Sequence, residues 1–278
     1  MKIYFGDNQF LGVNHSQGKG AEYLDKYASA EDIAATLRDA WQIGIRDFCF
    51  TVNRKTIVAV NLVIEECPFN LHPALPYAQG VNQLILEKGL IGAVYHKMRS
   101  SSFLSLCFGG GAALFGRYRR IFGILIRSEL AGVPMENVRS IGLLNVATDF
   151  ALGLNRQDIL EAFYDSVLLD FEVKPFYYTM NFPMLADCLW GKGKTNCGIV
   201  FNYNMSGFRT NPSISAVETA IQSYRGNEMI AMSIFSGGDP TDSERGLPLM
   251  GDLSGVLFGS SNKDNIEKNF SSFSREFP

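Results

Sequence analysis

No apolar stretch in this chain reaches the ~20 residues that a membrane-spanning helix needs. The opening Met1-Lys2-Ile3-Tyr4-Phe5 does not lead into the apolar core of a signal peptide. The five cysteines (Cys49, Cys67, Cys107, Cys188, Cys197) form no CxxC pair and no metal-ligand spacing. They read as reduced core thiols of a cytoplasmic protein, with no metal site expected. Neither sign of charge is in excess: 25 Lys+Arg against 28 Asp+Glu give a net charge of -3. Bulk electrostatics therefore favour neither nucleic acid nor an anionic membrane. Low-complexity linkers are missing as well, so a single domain over residues 1–278 is expected.

What is present is a rhythm. Short apolar runs, each ending in small polar residues, fall at Phe10–His15, Phe48–Asn53, Ala74–Gln79, Ser140–Val146, Pro175–Asn181, Gly198–Asn204, Met229–Ser236 and Val256–Ser260. Most are followed by helix-like sequence, and the alternation predicts a closed (β/α)₈ TIM barrel. Runs such as Ile199-Val200-Phe201 are continuous because barrel strands are buried on both faces. Lys2–Phe5 and Gln9–Val13 flank Gly6-Asp7-Asn8, which predicts a small hairpin leading into the first barrel strand. Ser29 and Asp32 cap a helix that Gly44 ends, Asn211-Pro212 opens another, and Ser261 with Asp264 caps the last.

Between Gly80 and Val138 the rhythm breaks, and a helical insertion after strand three, at about 82–135, is expected. Its apolar blocks Phe103–Phe108 and Leu114–Ile126 are divided by Arg117, Arg119 and Arg120. Packing on the barrel's outer helices is one use. Contact with a membrane surface, or with a second copy in a homo-oligomer, is another.

Barrels of this kind carry their chemistry on loops at the carboxyl ends of the strands. Those ends are rich in amides and hydroxyls and poor in charge: Asn14, Asn53, Asn145, Asn181, Asn202 and Asn204 stand among them. Such groups suit a polar small-molecule ligand, although asparagine also terminates strands and bonds loop backbone. His15 is the histidine expected at a strand end on this side, with a pKa suited to proton transfer. Asp149 is the nearest candidate to orient it. His72 precedes the third run and reads as structural. Ser236-Gly237-Gly238 and Gly259-Ser260-Ser261-Asn262 fall after strands seven and eight, the usual phosphate loops of this fold, or are ordinary turns with an N-cap.

The segments Ile230–Gly238 and Val256–Asn269 resemble the seventh- and eighth-strand regions of the aldo-keto reductase superfamily. That resemblance implies a nucleotide facing Ser260, Ser261, Asn265 and Asn269, as NADP does in those enzymes, and makes NADP one candidate for a cofactor whose identity the sequence leaves open. The family's catalytic Asp, Tyr, Lys and His do not stand where it requires them. Strand two reads Phe48-Cys49-Phe50-Thr51-Val52-Asn53-Arg54-Lys55, strand three ends Pro76-Tyr77-Ala78-Gln79, and strand four ends Leu144-Asn145-Val146. Function follows the site and not the scaffold. The expectation is an enzyme of non-standard chemistry (lyase, isomerase or unusual oxidoreductase) acting on a polar, phosphorylated or nucleotide-bearing small molecule. The alternative is a catalytically silent barrel that binds a ligand or partner through the insertion.

Overall fold

The structure, a computed structural model, describes residues 1–12, 20–75, 118–236 and 249–276. Eight strands form it: β1 (Lys2–Phe5), β2 (Asp47–Thr51), β3 (Asn70–Leu75), β4 (Ser140–Leu143), β5 (Lys174–Thr179), β6 (Gly198–Asn202), β7 (Glu228–Met232) and β8 (Gly255–Phe258). They pair in parallel in sequence order, and β8 returns to β1, closing the barrel. The described helices are α1 (Gly20–Lys26), α2 (Ala30–Ile43), α3 (Arg54–Val63), α4 (Tyr118–Glu129), α5 (Asn145–Gly153), α6 (Gln157–Asp170), α7 (Phe182–Leu189), α8 (Ile214–Ser223) and α9 (Lys263–Glu276). None of them is long and apolar enough to cross a membrane.

Seven strands lie on or beside the apolar runs; the first does not. Lys2–Phe5 is itself β1, and the expected hairpin is replaced by a 3₁₀ turn over Asn8–Leu11 that ends at Gly12. Phe10 explains the difference. Its ring inserts between Tyr27, at 4.8 Å, and the β1 and β2 rings of Phe5 and Phe48, both at 6.3 Å. A turn delivers that ring into the layer behind the strands, where an apolar pair reads the same as in a strand. Residues 13–15 of the expected run lie outside the described residues. Most of the expected insertion also lies outside them. Its described end, α4, packs on α6 through Phe122 and Phe163, 5.9 Å apart.

Helix starts follow local hydrogen bonding, and two differ from expectation. Ser29 and Asp32 form the reciprocal capping box of α2, as the spacing predicts. The cap of α8 is Ser213, whose hydroxyl accepts from Ala216 N, so Pro212 stands before the cap. The cap of α9 is Asn262 and not Ser261: its side chain accepts from the amides of Asp264 at 2.8 Å and Asn265 at 3.3 Å.

The barrel interior is filled by flat rings over glycines. Tyr4, Phe176 and Tyr178 point inward together with Cys49, Ala74, Val200 and Ile230. A Cβ at Gly198 would sit 2.6 Å from the Phe176 ring, one at Gly142 2.8 Å from Tyr178, and one at Gly255 2.7 Å from Tyr4. Below the rings, at the amino end, a polar layer closes the barrel. His72 lies 2.7 Å from Ser140 Oγ and 3.0 Å from Asp47 Oδ1, and its ring stacks on Phe176. Tyr4 donates to Glu228, which also pairs with Lys174. His72, expected before a strand, is inside β3.

Two predictions follow from this packing. Gly198→Ala forces a methyl into Phe176 and should cost about 1–3 kcal/mol by urea unfolding; wild-type stability would refute the ring-on-glycine account. Burial holds the His72 imidazole below its ordinary 6.5 despite the bond to Asp47. The unfolded chain therefore takes up this proton first, and stability should fall as pH drops below that value. In His72→Gln this acid-side loss should be smaller than in wild type, measured as the difference in unfolding free energy between neutral pH and pH of about 5.

Candidate functional site

The carboxyl ends of the strands form a mouth whose floor is apolar. Leu144, Met232 and Leu257 are partly buried there and rest on the inner cluster that contains Tyr178 and Cys49. Tyr178 and Cys49 lie in the same packed cluster, and burial pushes both well above their ordinary pKa ranges. Cys49 is therefore an inert thiol at neutral pH.

Asp7 stands at the end of β1, two residues past the strand. Its carboxylate accepts the amide of Thr51, the last residue of β2, at 2.7 Å. The carboxyl is buried and forms no ion pair among the described residues. Burial raises its pKa to about 7, outweighing the hydrogen bonding from Thr51. A carboxyl that keeps its proton near neutrality can both give and take one. Sequence reasoning missed it because Gly6-Asp7-Asn8 reads as a hairpin turn. The alternation in Lys2–Phe5 was the available signal that an acid follows a strand.

Apart from those at and after the β8 loop, the sequence-predicted residues fall into three groups. Asn14, His15, Gly237 and Gly238 lie outside the described residues. A second group is engaged in local architecture. Asn53 caps α3, accepting from Thr56 N at 2.9 Å and donating to Thr51 O, also at 2.9 Å. Asn181 caps α7 through Met184 N. Asn204, fully buried, holds its loop through Phe208 N and Phe208 O, both at 2.8 Å. Asn145 is the first residue of α5. Asp149 accepts from Thr179 Oγ1 at 2.5 Å and Met180 N at 2.9 Å. Tyr178 points inward, so the neighbouring Thr179 points to the helix side, and Asp149 ties α5 to the outer side of β5. Burial raises its pKa, against those two donors.

Asn202 alone forms the third group, on the inner face of β6. Its Oδ1 accepts from Ser233 Oγ at 2.6 Å, and its Nδ2 donates to Met180 Sδ at 3.2 Å. Ser233 and Ser236 follow β7 with φ of 59° and 48°, left-handed values for residues that bear a side chain.

The loop after β8 is already self-bonded. A Cβ on Gly259 would lie 2.3 Å from Gln9 Oε1, so the Gln9 amide packs against Gly259 where a side chain would otherwise stand. Ser260 Oγ accepts Asn262 N, and Asn262 consumes the α9 amides of Asp264 and Asn265. Asn265 and Asn269 lie on α9 itself. Beside the loop runs a groove of about 620 Å³ that includes Lys26, Tyr27, Asp39, Ser261 and Lys263. Lys26 donates to Ser261 O, and Lys263 pairs with Asp39 at 2.7 Å.

No protein-family model matches the chain, and no curated protein does. Solved structures match in fold. A Pseudomonas aeruginosa protein provisionally described as an aldo-keto reductase aligns with 98% of this chain and 89% of its own, at 9% identity and a TM-score of 0.59. A protein provisionally described as a 2,5-diketo-D-gluconic acid reductase B aligns with 98% of this chain and 81% of its own, at 11% identity and a TM-score of 0.57. The barrel thus has the architecture found in aldo-keto reductase-like proteins.

Proposed function

We propose that the chain is an enzyme of non-standard chemistry on an aldo-keto reductase-like barrel, with Asp7 transferring the proton. The observation that carries this reading is the Asp7 carboxyl itself, buried at a strand end without a cationic partner among the described residues. Such a group costs folding stability at neutral pH, which a purely structural role does not explain. The ligand is a polar small molecule, received by the apolar floor and the amide of Asn202. His15, on sequence grounds, is the second proton-handling candidate, and Asn14 a ligand-binding one.

A phosphate or nucleotide on that ligand would enter at the groove beside Ser261. Lys26 and Lys263 would there exchange the Ser261 carbonyl and Asp39 for it. Gly237 and Gly238 complete that proposal from the sequence side. NADP is the nucleotide candidate for that groove.

Two outcomes test the proposal. A panel of ketoses and ketose phosphates in deuterated water, followed by NMR, should show enzyme-dependent deuterium uptake beside the carbonyl. Asp7→Asn should lower that rate ~10²-fold or more; an unchanged rate removes Asp7 from the chemistry. Calorimetric titration with NADPH, and with inorganic phosphate, separates the nucleotide and phosphate branches in the same preparation.

Stability should move the other way. The folded Asp7 carboxyl holds its proton up to about 7, against 3.8 ordinarily, so its burden on folding grows as pH rises between those values. The full gap corresponds to roughly 4 kcal/mol as an upper bound. Asp7→Asn should therefore unfold at higher urea than wild type at pH of about 8, with the difference vanishing near pH of about 4. Equal stability at both ends would contradict the unpaired, buried carboxyl.

A further inference from the structure

Asn202 holds a buried donor against a poor acceptor. Its side chain is 4% exposed, and its Nδ2 meets the Met180 thioether, which accepts hydrogen bonds only weakly. Asn204, two residues on, shows the ordinary solution: its Nδ2 donates to a carbonyl oxygen at 2.8 Å. A buried amide without an oxygen partner is costly, so its persistence at a barrel mouth calls for an explanation.

The orientation of that amide is fixed. Ser233 Oγ donates to Oδ1 at 2.6 Å, which turns the amide nitrogen toward Met180 and the inner face. Holding Ser233 there takes a left-handed backbone, φ 59°, closed by the bond from Ser236 N to Ser233 O at 2.9 Å. Strain of this kind persists only where the surroundings impose it. Met180 is unbranched, flexible and only half-buried, so its sulfur can swing aside.

We propose that Asn202 binds an uncharged oxygen of the ligand, a carbonyl or hydroxyl, in exchange for the Met180 sulfur, and that Ser233 positions the amide for that exchange. The inference rests on reading the mouth as a small-molecule site. An uncharged oxygen is specified because no ammonium or guanidinium contacts Asn202 among the described residues. Met232 pairs with Asn202 across β6 and β7, and with Leu144 and Leu257 it rests on the inner apolar cluster, which suits the body of a carbonyl compound or sugar.

The exchange makes two variants move in opposite directions. The probe is D-fructose, a neutral ketose, and the readout is the ¹⁵N signal of the Asn202 side-chain amide, identified by its loss in Asn202→Asp. Ser233→Gly accepts the left-handed backbone without strain, so folding is preserved or improved while the hydroxyl is lost. It should weaken binding about tenfold. Met180→Leu conserves volume and removes the competing acceptor, and it should tighten binding about threefold. Equal affinity in all three proteins, or weaker binding in Met180→Leu, overturns the exchange while leaving the mouth as a site. A wild-type amide signal unmoved by millimolar fructose overturns both.

Discussion

The barrel depends on rings lying flat over strands that lack side chains. Phe176 covers Gly198, Tyr178 covers Gly142 and Tyr4 covers Gly255, each so close that a methyl group would collide. In a closed eight-stranded barrel the interior is just wide enough for side chains to fill it. Large rings on β1 and β5 are accommodated because β4, β6 and β8 give up their inward groups at the facing positions. The packing leaves little slack, and it fixes where the last inward residues of each strand emerge. Cys49, Tyr178 and Asn202 sit where they do because the layer beneath them cannot shift.

Above that layer the polar groups divide by the side of the strand they occupy. Asp149, Asn181 and Asn53 serve the helices: Asn53 and Asn181 cap the helices that follow their strands, and Asp149 ties α5 to the end of β5. Asp7 and Asn202 are different. One is an acid whose donors do not offset its burial, the other an amide facing sulfur. Both carry an unfavourable local arrangement that the rigid barrel is able to hold. Natural proteins keep such arrangements mainly where they are used.

The closed barrel was legible in the sequence because seven of its strands are apolar on both faces and recur with intervening helical patterns. The first strand was hidden by the chemistry of its neighbour. Phe10-Leu11 is as apolar as a strand, and only the tertiary demand for a ring against Tyr27 and Phe48 makes it a turn. That single displacement concealed Asp7, which a strand at Lys2–Phe5 places at the barrel mouth. Asn202 was visible as a strand-end amide, whereas its partners Met180 and Ser233 were not, since neither residue type announces a role by spacing. The capping residues Ser213 and Asn262 were each displaced from the expected position because side-chain reach to a particular amide, not residue type, decides a cap.

The polar layer at the amino end has a consequence for traffic through the molecule. Two bonded groups, His72 with Ser140 and Asp47, and Glu228 with Tyr4 and Lys174, fill the amino end of the bore with its own side chains. Under the proposed function, a small molecule received between Leu144 and Met232 meets this layer and not a through-channel, so substitutions at that rim would alter its departure as much as its arrival.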